Sequence, residues 1–418
     1  MLNTPVSPAP AETRQPATAS LRALDWANFF LADVRDGLGP YLAIYLLTTL
    51  HWTPEGIGIA MSVMGIATVV AQTPAGALVD RTRKKRVFSV IASLLIATAS
   101  LLTISFPVQG VIVGGQVAMG VAAAWFGPAI AAITLGMVGH KKLDSRIGRN
   151  ETINHAGNVF SALMAGIIGY YISTSGIFVL LAVMSVLSSI SIWRIREEDI
   201  DHDLARGDGE EGDAADNGDK PSGFRAILKN KAILFFALAC VLFHFANAAM
   251  LPLLGQRLAK GIDAGTSSVY MSACIIVAQI VMVPVSNLTG RFAPGGRKRL
   301  LLIAFAVLPI RGVLYTMTTD PTLLVAIQIL DGVGAGIFGV LSILIVSDLT
   351  KGSGLFNTTQ GAIATAVGLG SSLSNAFAGG IVQRSGYNSA FLVLASIAVA
   401  ALAVLWFFVP ETRTKADA

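Results

Sequence analysis

Charge is the scarcest commodity in this chain. Asp, Glu, Lys and Arg make up 13% of its 418 residues, about half of what a soluble globular chain carries. With a hydrophobic share of 54% and a mean hydropathy of +0.67, that scarcity excludes an ordinary soluble enzyme. It excludes an intrinsically disordered chain as well. Cysteine is nearly absent, and Cys240 and Cys274 both fall inside apolar runs. With no CxxC pair and no Cys/His cluster, neither a structural zinc nor a disulfide framework is expected. The sequence has no GxxxxGK[ST], no HExxH and no GxSxG. There is also no long polar stretch to house a catalytic domain. The reading is therefore a protein that is not an enzyme, uses no cofactor or metal, and does not pump on ATP by itself. Residues Met1–Ser20 are polar and lack the apolar core of a cleavable signal, so the first spanning helix is expected to serve as an uncleaved one.

What the chain has in abundance is long apolar runs. Twelve are expected, at about 24–48, 56–79, 87–106, 109–138, 152–173, 176–194, 230–257, 265–289, 299–318, 322–348, 356–381 and 388–409. In lipid each must be helical, because open strand or coil would strand backbone polar groups. Barrel strands would alternate in hydropathy, and Val87–Ile104 does not. The fold class is thus an all-α membrane protein with twelve transmembrane helices in two pseudo-symmetric six-helix bundles. The 42 glycines suit close helix packing in lipid.

Lys and Arg set the orientation. With both termini in the cytoplasm, 25 of the 30 basic residues lie inside, three outside (Arg257, Lys260, Arg384) and two, Arg35 and Arg311, within helices. The net charge of +5 is then a topology signal, and no nucleic-acid partner is needed. The expected place is a bacterial-type cytoplasmic (inner) membrane. Residues 197–219 hold eleven of the 25 acids and, apart from Ile200 and Leu204, no large apolar side chain. Such a segment is expected to be a disordered linker. The organisation follows: a disordered tail at 1–21, an N-terminal bundle at 22–195, an acidic linker at 196–224, a C-terminal bundle at 225–410 and a tail at 411–418.

The two halves repeat. Gln116–Gly127 (QVAMGVAAAWFG) and Gln328–Gly339 (QILDGVGAGIFG) match at Gln116/Gln328, Gly120/Gly332, Val121/Val333, Ala123/Ala335, Phe126/Phe338 and Gly127/Gly339. Lys85-Arg86 and Lys298-Arg299 match at nearly the same offset, and Ser175-Gly176 and Ser385-Gly386 mark corresponding bends. Two similar bundles suggest a central site between them and rocking as the mechanism.

The run Gly76-Ala-Leu-Val-Asp80-Arg81-Thr-Arg-Lys84-Lys85-Arg86 resembles the loop 2–3 signature of the major facilitator superfamily, G-x-L-x-D-R-x-G-R-K, with Arg83 replacing its second glycine. The resemblance extends over residues 21–410. It implies that Gly76, Asp80, Arg81, Lys84 and Lys85 form a cytoplasmic latch between the halves in the outward-facing state. The loop after segment 8 has Gly290 where an Asp would stand, so the latch is expected to be lopsided. Segment 4 resembles the drug:proton antiporter branch, with Gln116 at its Arg position. Segment 5 resembles that branch's G-P-x-x-G-G element at Gly157-Asn158-Val-Phe-Ser161-Ala162, without the proline.

Ionisable groups within the membrane are expensive and usually functional. Asp36 is the first choice for a protonatable residue, and Asp33, three residues earlier on the same face, is the next. Arg35 pairs with either, or the Asp–Arg contact is a static strut. Gly37, Gly39 and Pro40 loosen this helix, as in discontinuous transporter helices. Asp331 stands where the first half has Met119. It is a second proton or cation site, or a buried structural partner of Arg311, which alternatively holds an anionic substrate. Asn154, His155 and Asn158 form one polar set, and His244 and Asn247 a second at i, i+3 spacing; each His is a coupling group or a packing residue. Trp125 sits mid-helix, away from the interfacial belt, either stacking on a substrate or packing. Gln116, Gln328 and Gln360 complete the expected cavity residues.

The expected function is alternating-access transport of a small organic solute, with proton-coupled efflux preferred. Proton symport of a metabolite or siderophore is the alternative. A non-transporting receptor and a lipid-modifying enzyme are the rival classes. The expected partners are the solute, protons and the bilayer, with the chain a monomer.

Overall fold

The computed structural model describes residues 16–34, 38–206, 229–351 and 355–412. Thirteen helices account for nearly all of them: α1 (Thr18–Val34), α2 (Gly39–Thr48), α3 (Pro54–Arg81), α4 (Lys85–Ser105), α5 (Gln109–Tyr171), α6 (Thr174–Arg194), α7 (Lys231–Ala248), α8 (Met250–Gly261), α9 (Ala264–Phe292), α10 (Arg297–Met317), α11 (Pro321–Ala326), α12 (Gln328–Leu349) and α13 (Phe356–Phe408). No strand occurs among the described residues. Nine helical stretches there are long and apolar enough to cross a membrane.

The expected apolar segments fall on these helices. Segment 1 covers α1 and α2, segment 7 covers α7 and α8, and segment 10 covers α11 and α12. Segments 4 and 5 are joined in α5, which turns at Gly139 (φ 69°), and segments 11 and 12 in α13, which turns at Gly386 (φ 81°). Both turns lie in the left-handed region that glycine enters without steric cost. Several helix starts are capped by short polar side chains. Thr53 accepts from the Gly56 amide, Ser173 from Gly176, Asp263 from Thr266, and Asp320 from Thr322 and Leu323. The bend before α6 therefore falls at Ile172–Ser173, because Ser173 is the cap; the expected Ser175-Gly176 lies in the first turn of α6.

The polarity pattern is that of a membrane protein. Large apolar side chains such as Ile91, Leu101, Val179, Val283 and Leu392 point outward and are exposed. Hydroxyls are buried between helices instead: Ser188 donates to Ser93 (3.0 Å), and Ser100 donates to the Phe178 carbonyl (2.8 Å), tying α4 to α6. In lipid, apolar side chains gain nothing by hiding, so small residues and hydroxyls make the helix contacts.

The sequence repeat is a packing repeat. Gly120 of α5 lies so close to α3 that a Cβ would strike the Met64 carbonyl. Its counterpart Gly332 of α12 lies against α9 at Ala278 and Val281 in the same way. Thr68 donates to the Gly120 carbonyl (3.0 Å), and one turn beyond Gly332 the Gly336 carbonyl accepts from Ser286 (3.1 Å). α1–α6 form one bundle and α7–α13 the other.

The bundles meet along two seams. Along α3–α13, Gly58 faces Asn375, Gly379 faces Pro54, Gly65 faces Ser372 and Gly368 faces Val69. Along α5–α9, Gly166 faces Ser272, and Gly169 faces Ser268. The helix α2 packs on α8 between them. These contacts draw together the end of the molecule holding residues 49–53, 172–173 and 262–263. Toward the opposite end, where the described chain begins and finishes, a Cβ on Gly76 or Gly361 would meet open space.

The first part of the acidic linker is ordered, against expectation. Residues 196–206 lie on the end of the N-terminal bundle in two short 3-10 turns. Ile200 is 4% exposed, and the Asp201 amide donates to the Gly136 carbonyl (2.9 Å). Ser20 donates to Asp199 (2.6 Å), Arg86 pairs with Glu197 (2.7 Å) and Arg83 with Asp203 (3.3 Å). The carboxylates that argued for disorder have local cationic partners, and Ile200 supplies an apolar anchor. Residues 207–228 lie outside the described set. Residues 18–21, expected in the N-terminal tail, are helical, since α1 already begins at Thr18.

Candidate functional site

The C-terminal bundle contains a cavity of about 140 Å³ between α7, α10 and α12. Helical spacing places its walls: Phe243, His244 and Asn247 on α7, Ala304, Leu308 and Arg311 on α10, and Asp331, Ala335 and Gly339 on α12. Arg311 is 3% exposed. One Nη donates to Asp331 and the other to Asn247 Oδ1, and it also lies 3.4 Å from Met250 Sδ. Its guanidinium sits 5.9 Å from the Tyr315 ring, and its Nε is buried without a partner. His244 Nδ1 lies 3.3 Å from the Cys240 carbonyl.

A charge pair in a bundle interior costs several kcal/mol of desolvation per ion, in rough terms, and its mutual attraction only partly offsets this. At the corresponding positions the N-terminal half has no charge. In the register that aligns Gln116 with Gln328, Arg311 corresponds to Ala99 and Asp331 to Met119. The two charges are therefore a joint property of one half. Gln116 and Gln328, expected in the cavity, point into their own bundles: Gln116 Nε2 contacts Met119 Sδ at 3.8 Å, and Gln328 Nε2 donates to the Tyr315 hydroxyl at 2.6 Å. Trp125 is 6% exposed, and its indole donates to Ser89 Oγ (2.9 Å) on α4, with Phe88 alongside at 5.3 Å between centroids. Gln360 is half-buried near the start of α13 and does not line this cavity.

A second polar group spans α1, α2, α5 and α9. Ser161 donates to Asp33 Oδ2 (2.7 Å). The Tyr41 hydroxyl lies 2.8 Å from Ser272 Oγ and 3.5 Å from the Ala162 carbonyl, so it bridges the bundles. His155 Nδ1 meets Gln279 Oε1 (2.8 Å), also across the bundles. Asn158 Nδ2 is 3.5 Å from Asn154 Oδ1, and Asn154 Nδ2 is 3.5 Å from the Asn28 carbonyl. Gly157 lets α5 press against Phe29 and Ala32 of α1, which is why small residues stand in this stretch. Asp36 and Arg35 lie outside the described residues. Leu38, just beyond them, has φ 64° and precedes Gly39-Pro40, so the helix path is broken where the sequence suggested.

Of the latch residues, Asp80, Arg81 and Lys84 are exposed, while Lys85 is buried and donates to the Thr82 carbonyl (2.9 Å). Arg83, the departure from the signature, is the residue that reaches Asp203. Sequence reasoning missed Tyr41, Ser272 and Gln279, and read Ser161 only as part of the segment 5 element. The usable signal was a hydroxyl or amide in an apolar run of each half, but it points to a contact only when α5 and α9 are known to adjoin.

These features define a class: a helical membrane protein of two related bundles, with buried charge in one and polar contacts across the seam. The sequence profile of the Major Facilitator Superfamily matches residues 24–364 and again 295–418. Relatives in two strains of Mycobacterium tuberculosis (CDC 1551 / Oshkosh and ATCC 25618 / H37Rv), both named MFS-type transporters, are 48% identical over 394 residues, covering 94% of this chain and 93% of theirs. The chain belongs to the Major Facilitator Superfamily and is a secondary transporter of a solute. Among solved structures, a point mutant of the nucleoside transporter NupG superposes with a TM-score of 0.77 at 15% identity, covering 94% of this chain and 100% of that one. A bacterial homologue of the human lysosomal transporter Spinster, inward-facing and unoccupied, gives 0.73 at 13% identity, covering 93% and 96%. At such identities these two likenesses speak to the fold alone.

Proposed function

We propose that the chain exports a small organic solute across a bacterial-type inner membrane in exchange for protons, as a monomer with both termini cytoplasmic. The observation that carries this reading is Asp331 at a cavity wall, held by Arg311, whose other Nη donates to Asn247. Protonation of that carboxylate would free the guanidinium and change what the cavity offers, which couples proton binding to solute binding. Asp33, beside the Tyr41 bridge, is the second proton site, and Asp36, three residues on in the sequence, keeps its place in the scheme. With the termini inside, the close glycine contacts of the two seams lie toward the outer end. A closed outer end fits an inward-facing state, from which an exporter loads.

Inside-out vesicles with an acid interior and a pH dye test the reading. A solute drawn from drug, sugar, organic-acid and siderophore panels is expected to release protons. That release should be lost in Asp331→Asn or Asp33→Asn. Release that survives in those variants and in Asp36→Asn would remove these carboxylates from coupling. Silence across every panel would refute exchange.

A further inference from the structure

The cavity between α7, α10 and α12 also specifies what kind of molecule it takes. Arg311 can only donate, so the Asn247 carboxamide must turn its oxygen to the guanidinium and keep its NH2 free. Asp331 commits one oxygen to Arg311 and retains the other as an acceptor. The Cys240 carbonyl can only accept, so His244 Nδ1 carries the hydrogen there, and in the neutral ring Nε2 is left as an acceptor. Asn247 and Asp331 stand side by side, because they bind the two Nη atoms of one guanidinium. The wall thus presents a donor beside an acceptor.

Charge and shape narrow the choice further. Asp331 and Arg311 sum to zero, so an organic cation would face the fixed guanidinium and an anion would face the carboxylate. Phe243 and Phe338 lie 8° from parallel, with centroids 5.5 Å apart, and the His244 ring stands 4.8 Å from Phe338. On α12 the neighbouring wall is Ala335 and Gly339, and a Cβ at Gly339 would meet open space. About 140 Å³ matches roughly five waters at ~30 Å³ each, below the ~300 Å³ of drug-sized pockets. Resting on the reading of this cavity as the transport site, the geometry points to an uncharged nitrogen heterocycle with a lactam edge. Its ring C=O meets Asn247, its ring N–H meets Asp331, and its face lies along the aromatic wall. Oxopyrimidine and oxopurine bases have this chemistry, whether free or carrying a sugar.

The test is equilibrium binding of tritiated uracil and hypoxanthine to the full-length protein in nanodiscs. Uridine, inosine, 1,3-dimethyluracil, tetraphenylphosphonium and benzoate serve as competitors. Saturable binding of at least one base is expected, with dimethyluracil at least tenfold weaker than uracil and neither ion competing. Stronger competition by the nucleosides than by the bases would identify the sugar-bearing form. Asn247→Leu should weaken binding at least tenfold. Asp331→Asn removes the balancing charge, so that variant should gain benzoate binding while losing the base, an outcome that misfolding does not produce. Wild-type protein that binds either ion and neither base, or that ignores N-methylation, overturns the inference. Flux in proteoliposomes is scored separately against a metabolite library. Flux of an unrelated solute without base binding sinks the ligand class and leaves the transporter standing. Base binding without flux of any solute does the reverse.

Discussion

Replacing Gly58 with alanine is expected to open the end of the molecule that the seams now close. In the present state an added Cβ would lie 2.9 Å from the Asn375 carbonyl carbon, 3.2 Å from Ala376 Cα and nearer still to the Asn375 oxygen. Carbon atoms in contact prefer about 3.5–4.0 Å, so α3 and α13 must part by roughly 1 Å at this point. Overpacking of this kind typically costs about 1–3 kcal/mol. In the opposite state the two helices separate here and the methyl meets no backbone. Alanine also favours the helix by about 1 kcal/mol over glycine, but equally in both states, so that gain cancels. The ratio of the two states should therefore move by roughly 5- to 150-fold toward the one open at this end. Spin labels at Glu55 and Arg384, both exposed at that end, would report it by double electron–electron resonance. A long-distance population should appear or grow in Gly58→Ala. An unchanged distribution would refute the claim that this seam separates during the cycle.

Further outcomes follow from the same contacts. Ser89→Ala leaves the buried Trp125 indole without its acceptor and should destabilise the protein by about 1–3 kcal/mol, lowering the unfolding temperature in detergent. Arg311→Met strands Asp331 and should cost about 3–5 kcal/mol, whereas the double variant Arg311→Met/Asp331→Leu should recover most of it; equal thermal loss in both would deny the pairing. Ile200→Asp should release residues 196–206 from the bundle, seen as faster amide exchange at Asp201 with α4 and α6 unaffected.

Much of this architecture was legible because a bilayer enforces it. Continuous apolar runs must be helical, so the segments fell where hydropathy placed them, and the Gln116/Gln328 register anticipated the matching positions of Gly120 and Gly332. The partnership of Arg311 with Asp331 was foreseeable as two lone charges in neighbouring apolar helices. Asn247 as a third member was not, since it arrives from α7, 64 positions away. The Tyr41 bridge escaped for the same reason. A tyrosine after Gly39-Pro40 looks like any interfacial aromatic until Ser272 is brought to it. Residues 196–206 misled because composition counts carboxylates without knowing that Arg83 and Arg86 stand opposite them.

The two seams have a kinetic consequence. Their facing residues are glycine, serine and backbone carbonyls, with Val69 the one large side chain among the four pairs along α3–α13. Parting such surfaces along α3–α13 requires few bulky knobs to leave sockets. The two bundles behave as bearing surfaces rather than as interlocked gears. The barrier to their motion is then set by a few breakable polar links, Tyr41 to Ser272 and His155 to Gln279 among them. Turnover in such a machine should be limited by those links and by the cargo, with little friction arising from the seams themselves.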